Sequence, residues 1–395
     1  MNLTPQVDAR ESVKNWLAGQ QEAMLALLEK LVNIDSFSRD EAGIGEVADT
    51  IALYLQDEGI TAHIETVPGY GPVLRARVGQ GQGAPVFLTG HMDTVFPKGT
   101  VAQRPFSTDG LRAYGPGVAD MKSGLVLNVF VLIAMARYGA AFGPVELLMT
   151  CDEEIGSPAT RETIMQTVKG ARAVFNAEPA RANGNVVTSR KGNFLVEFGV
   201  KGVAAHSGIN FAKGASAIDA LARKIIALHA LTNDPVRGIT SNVGVIAGGI
   251  VPNMVAPFAT AGLDVRYGPS ENTEQLRERI RSIIEETSTP GTQGYISDIR
   301  QTTPMRETPA FLLQLYQDCA QELGFSVEGE FTGGAADSGL TSLVGVPTLC
   351  ATGPVGGGAH TEQEYCEIAT IVPRTQAVAL ATLALLQPDT AASAA

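Results

Sequence analysis

Seven side chains of types that bind divalent cations or move protons stand out along the chain: His91, Asp93, Asp120, Glu153, Glu154, Glu178 and His360. The densest stretch is Cys151-Asp152-Glu153-Glu154-Ile155-Gly156, directly after an apolar run at residues 145–150. Neighbouring side chains of an extended chain point to opposite sides, so at a strand end one carboxylate can hold a cation while the next faces a substrate. A metal ligand beside a general base suits that geometry; a solvated acidic turn would carry the same residues. In Gly90-His91-Met92-Asp93-Thr94-Val95, His91 and Asp93 lie two apart and share one side of an extended segment. The aspartate can then fix the tautomer of a ligating imidazole, although a histidine bonded to a nearby aspartate is also common in ordinary loops. Asp120 sits in the glycine-rich loop 114–124, ahead of an apolar helix. It reads as a helix cap or as a ligand, and Ser123, closer to the helix, can take the cap and leave Asp120 free. The loop lacks the G-x-x-x-x-G-K-[ST] pattern of a phosphate cradle. His360 leaves a second glycine-rich loop, where small neighbours permit close approach to a site. His206, among the small residues of 202–208, reads equally well as a structural histidine. Two imidazoles and five carboxylates suit zinc, or less specifically cobalt or manganese. Two metals about 3.5–4 Å apart need a bridging ligand, which a loop aspartate can supply.

The elements that must position these groups follow from periodicity. A helical apolar rhythm covers residues 7–32, and a second helix is expected over 44–58. Strand-like runs follow at 61–67, 73–78 and 85–89, then a buried helix over 125–136, a strand at 145–150, a helix over 158–168 and a strand at 173–176. His91 with Asp93, Glu153 with Glu154, and Glu178 therefore all sit at carboxyl ends of apolar runs, where open α/β sheets place their ligands. From residue 192 to 299 the order reads strand, strand, helix, strand, strand, helix, strand, with the first two strands at 194–199 and 200–205. This is an α+β unit inserted into the first domain, with an edge or helix able to pair with a second copy. The chain then returns with a helix over 309–323, a strand at 344–350, a helix over 372–386 and a frayed tail at 387–395. The expected division is a catalytic domain from 1–188 and 301–395 around an inserted domain at 189–300.

Bulk properties narrow the function classes. With 395 residues, two domains are the first expectation. A hydrophobic share of 45% with 18% charged residues is globular. The net charge of −12 argues against nucleic acid or an anionic membrane as partner. The four cysteines show no paired spacing and read as reduced thiols. The first residues lack a basic stretch followed by an apolar one, so a cytoplasmic location is expected. The longest apolar run, interrupted by Asn128, is too short to span a bilayer.

The motifs at 90–95, 114–124 and 151–156, the pair Glu178-Pro179, residues 202–208, and Gly333-Gly334-Ala335-Ala336-Asp337 together resemble the M20 family of metallopeptidases, within it the glutamate carboxypeptidase branch. The resemblance implies an α/β mixed-sheet zinc-peptidase domain carrying an inserted ferredoxin-like α+β lid and dimerisation domain. It implies two zinc ions per subunit, with Co2+ or Mn2+ as substitutes. Asp120 would bridge them, His91 and Glu178 completing one site and Glu154 and His360 the other. Asp93 would orient His91. Glu153 would be the general base and acid toward the metal-bridging water. His206 would reach the partner subunit's site and stabilise the oxyanion, which requires a homodimer. Arg266 and Asn253 match positions that hold a substrate carboxylate, with Arg306 and Lys191 as further candidates. The implied reaction releases a C-terminal amino acid, glutamate-like by preference, from an N-acyl amino acid or peptide. An N-acyl-amino-acid deacylase of the acetylornithine or succinyl-diaminopimelate type shares that chemistry. A non-catalytic metal- or peptide-binding protein is the alternative from another class.

Overall fold

The computed structural model describes residues 4–387, and the expected tail lies outside them except for Gln387. Alternation along the apolar runs builds the main sheet. In the strand Val86–His91, Val86 and Leu88 join a large core with Leu74, Leu147 and Phe175. Phe87 faces the other way, with Val73, Leu148 and Val174. A strand buried on both faces reads as a continuous apolar run, as parallel sheets require.

The sheet has eight strands in the order Ala62–Val67, Gly71–Val78, Val145–Thr150, Val86–His91, Ala173–Asn176, Thr348–Cys350, Val186–Arg190 and Gly329–Thr332. The four strands from Val145–Thr150 to Thr348–Cys350 run parallel, and the pairings of Ala62–Val67, Gly71–Val78 and Val186–Arg190 are antiparallel. The fold is thus α/β with a mixed sheet. Helix Ser123–Ala134 is buried along its whole length beneath the sheet, with Thr4–Ala18, Gln21–Val32, Glu41–Asp57 and Ile368–Leu386 contributing to the same core. Among the described residues, two helical stretches are long and apolar enough to cross a membrane, Val118–Gly139 and Ile368–Leu386, but 94% and 72% of their apolar windows are buried inside the protein.

The chain forms two compact units: one of residues through Ser189, Arg306–Phe331 and from Leu340 onward, and one of Arg190–Met305 with Thr332–Gly339. The segment Thr332–Gly339 thus groups with the second unit, although the sequence reading assigns it to the returning part. The second unit is a four-stranded antiparallel sheet in the order Thr240–Gly248, Phe258–Tyr267, Gly192–Lys201, Gln293–Thr302. Helices Ala217–His229 and Thr273–Glu285 complete the βαββαβ order of a ferredoxin-like unit. Its own core contains Phe194, Val196, Leu221, Val265, Tyr267 and Ile280.

Three local readings differ. The rhythm over 7–32 is two helices, broken at Gly19-Gln20. The runs at 194–199 and 200–205 are one strand that ends at Lys201. Beyond it the backbone of Ala215 comes so close that a Cβ on Gly202 would stand 2.2 Å from its carbonyl oxygen. Strand Val186–Arg190 escaped detection because all five residues are buried, polar ones included, so no alternation marks it.

Candidate active site

The parallel strands deliver the chemistry at their carboxyl ends. His91 is the last residue of Val86–His91, and Glu153 and Glu154 open the short turn after Val145–Thr150. Glu178 follows Ala173–Asn176. These strands are hydrogen-bonded neighbours, so residues distant in sequence emerge side by side.

The side chains meet around His91. Its Nε2 lies 3.2 Å from Asp120 Oδ1, 3.9 Å from Glu153 Oε2 and 3.8 Å from Glu178 Oε1. His360 Nε2 lies 3.4 Å from the other Asp120 oxygen and 3.1 Å from Glu154 Oε2. Asp120 thus turns one oxygen to each histidine. It follows the left-handed Gly117 and precedes a cis peptide to Met121. Ser123 is the first residue of its helix and provides no side-chain cap, contrary to the capping role open to it from sequence.

Asp93 is buried behind His91. Its carboxylate accepts from Ser38 Oγ at 2.7 Å, from the Glu153 N–H at 3.1 Å and from the Glu154 N–H at 3.2 Å, and Oδ1 lies 3.4 Å from His91 Nδ1. The same Nδ1 lies 2.9 Å from the Asp93 carbonyl oxygen. One aspartate therefore orients the imidazole and pins the turn that carries both glutamates.

The electrostatics favour bound positive charge. Burial disfavours the His91 imidazolium, but Asp120, Asp93, Glu153 and Glu178 outweigh it and hold the pKa well above the usual histidine range. Hydrogen bonding to Asp120 and Glu154 raises His360 to about 10. Burial opposes ionisation of Asp120, yet the two histidines keep its pKa far below normal, whereas burial raises that of Glu154. Glu154 Oε1 is buried with no hydrogen-bond partner, an oxygen that a cation would satisfy. Among the described residues, two groups can each surround one ion: His91, Glu153 and Glu178, and His91, Asp120 and Glu154. Mixed imidazole and carboxylate donors around an orphaned buried oxygen fit a divalent metal. Glu153, expected to be a base, is as near to His91 as the expected ligand Glu178.

The other expected residues have local partners. His206 is an exposed side chain of the second unit; its Nδ1 accepts from the Gly208 N–H at 3.1 Å. Asn253 is exposed nearby, its carbonyl accepting from the Ser207 N–H at 3.0 Å. Arg266 bonds Asp264 Oδ2 at 3.1 Å through Nε and the Gly333 carbonyl at 2.7 Å through Nη1. Lys191 is buried, its ammonium donating to the Pro235 carbonyl at 3.2 Å. Arg306 is exposed in the first unit, its backbone N–H donating to Ser342 Oγ at 3.1 Å.

Three residues of this region were missed from sequence. Ser38 supports Asp93. Asp152 is no solvated turn residue: it is fully buried, accepts from the Ala159 N–H at 2.7 Å and the Thr160 N–H at 3.2 Å, and bonds the Thr160 hydroxyl. Glu364 is buried against the Asp120 loop, and desolvation raises its pKa to about 7. The irregular loop 115–120 was the available signal, since its amides lack regular partners and require acceptors; the sequence does not say which acid supplies them.

The profile of peptidase family M20/M25/M40 matches residues 87–384. The chain is 28% identical to carboxypeptidase G2 from a Pseudomonas species, over 90% of this chain and 87% of that protein. It is 25% identical to an acetylornithine deacetylase of Aliivibrio fischeri, over 87% of this chain and 94% of the relative. Aminopeptidase PepT from Bacillus cereus has the same fold, with a TM-score of 0.77 at 20% identity over 92% of this chain and 98% of that one. An M20 family metallo-carboxypeptidase from Sulfolobus solfataricus superposes with a TM-score of 0.75 at 19% identity, covering 92% and 99%.

Proposed function

The chain belongs to peptidase family M20/M25/M40, and from that premise we propose that it is a di-zinc hydrolase releasing a C-terminal amino acid, glutamate-like by preference, from N-acyl amino acids or peptides. The coarser statement, a metal-dependent hydrolase with carboxypeptidase or amidohydrolase activity, follows from the family. The observation that carries the finer reading is Asp120, with one oxygen 3.2 Å from His91 and the other 3.4 Å from His360. A carboxylate divided between two imidazoles is the arrangement a bridging ligand needs. His91, Asp120 and Glu178 would hold one zinc, and Asp120, Glu154 and His360 the other; Co2+ or Mn2+ would substitute. When bound, the ions lower the pKa of water and polarise the amide carbonyl.

The chain's own residues do the rest. Glu153, 3.9 Å from His91 Nε2, accepts a proton from the attacking water and passes it to the leaving amine nitrogen. Asp93 holds His91 in the tautomer that presents Nε2 to the site. His206 of a partner copy donates to the carbonyl oxygen as charge develops there, so the active form is a homodimer paired through the second unit. Arg266 and Asn253 are the groups assigned to the terminal carboxylate, with Arg306 a further candidate; Lys191, the other, would first have to release its buried ammonium from the Pro235 carbonyl. Four buried free cysteines support a reducing, cytoplasmic location. Similarity to acetylornithine deacetylases favours a second reading, an N-acyl-amino-acid deacylase.

The test is a panel of N-acyl amino acids and dipeptides varied at the C-terminal residue, with metal content measured on the same preparation. Preference for N-acyl-glutamates is expected; equal or faster cleavage of N-acetylornithine would replace the carboxypeptidase reading. In the same assay Glu153→Ala should lower turnover by about 10²–10⁴-fold with metal content unchanged. Loss of metal would instead make Glu153 a ligand.

A further inference from the structure

Glu364 is 1% exposed, and no step above uses it. Its Oε1 accepts from the N–H groups of Ala119 and Asp120, each at 2.9 Å, and its Oε2 accepts from the Gly117 N–H at 3.0 Å. A buried acid is costly unless such bonds offset its desolvation. Three amides on one carboxylate are charge-assisted bonds, and they close the loop that presents Asp120.

Glu364 also stands four residues after His360, on a tight turn. The Thr361 N–H donates to the Gly358 carbonyl at 3.0 Å, and Gly358 and His360 both have left-handed backbones, with φ of 67° and 64°. A Cβ on Gly358 would stand 2.6 Å from the Gln363 carbonyl oxygen, so the turn is packed against itself. Its flanks are held too: Gly356 pairs with Cys366, and Tyr365 pairs with both Gly357 and Tyr114. A Cβ on Gly356 would come 2.6 Å from that of Ala119, so the His360 and Asp120 segments touch directly.

We propose that Glu364 is a positioning residue that clasps the Asp120 loop to the His360 turn, so that two ligands of one cation arrive already aligned. The inference rests on the metal-site reading of Asp120 and His360. It assigns Glu364 no contact with metal or substrate. Its carboxylate sets the backbone at residues 117–120 and thereby the separation of Asp120 Oδ2 from His360 Nε2, here 3.4 Å.

The experiment titrates metal-free protein with Co2+, following the visible d–d absorption and a competing chromophoric chelator. Glu364→Gln keeps the shape but turns an amide NH2 toward at least one of the three N–H donors. Glu364→Asp keeps the charge but falls one methylene short of them. Both variants should bind at least one Co2+ about 10–100-fold more weakly than the natural chain, with an altered absorption envelope. Hydrogen exchange at Gly117, Ala119 and Asp120 should accelerate, while strand Val145–Thr150 remains protected. A merely structural residue would lower the melting temperature without changing the cobalt spectrum or affinity of the folded fraction. Natural affinity and spectrum in either folded variant would overturn the proposal. If the unsubstituted protein itself bound no Co2+, the metal-site reading would fall with it, which separates the two failures.

Discussion

Replacing Asp93 by asparagine removes one oxygen from a carboxylate that is 1% exposed and fully engaged. Oδ1 accepts the Glu153 N–H and faces His91 Nδ1; Oδ2 accepts the Glu154 N–H and the Ser38 hydroxyl. The Ser38 hydroxyl can rotate to accept from the new NH2 group, but neither backbone amide can. Whichever way the asparagine turns, the N–H of Glu153 or Glu154 faces a donor in a buried site. A stranded amide costs about 1–3 kcal/mol. The remaining bonds become neutral and lose roughly half their strength, so the total is about 2–4 kcal/mol. The loss falls on the turn carrying Glu153 and Glu154 and on the orientation of His91. Urea unfolding of the metal-free variant should show that loss, and Co2+ affinity should fall by about 10–100-fold. Ser38→Ala leaves both amides bonded and should cost less, about 1 kcal/mol. An Asp93→Asn protein with the natural urea midpoint and natural Co2+ affinity would refute the argument.

His206→Ala should lower kcat by about 10²–10³-fold with metal content unchanged, as for loss of an oxyanion donor. Mixing His206→Ala with Glu153→Ala chains should restore part of the activity, and no recovery would count against a site shared between copies. In the metal-free protein, His91 and His360 have folded pKa values above the ordinary histidine value, His360 at about 10. A raised folded pKa contributes stability that is fully present below the unfolded value and lost as pH rises through the folded one. The two histidines should therefore lose stabilising effect between about pH 6.5 and 10, while buried Lys122, which burial lowers to about 7, acts in the opposite direction, so NMR titration of the imidazoles in the metal-free protein is the direct readout. Affinity for Co2+ should rise over the same interval, because the ion displaces those protons. Imidazoles that both titrate at the ordinary histidine value would contradict the assignment.

Much of the site was legible from sequence because strand ends mark themselves. The apolar runs ending at His91, Thr150 and Asn176 each deliver their polar residues at a carboxyl end, and a sheet with both faces covered leaves only that edge for chemistry. What stayed hidden was polar and buried: Asp152 closing its own turn, Ser38 behind Asp93, Glu364 under the Asp120 loop. Their partners are backbone amides or far-off side chains, and no local periodicity encodes an acceptor for a loop N–H.

Residue types and local rhythm determined by themselves that this is an α/β chain with an inserted α+β segment, and that histidines and acids cluster at its strand tips. Local preference reaches only a few positions along the chain, so it names the donors but not their distances. Tertiary structure alone decided that Asp120 turns one oxygen to His91 and the other to His360, residues brought together by sheet order. It also decided that Glu153 lies as near His91 as Glu178 does, because register between neighbouring strands sets which atoms meet.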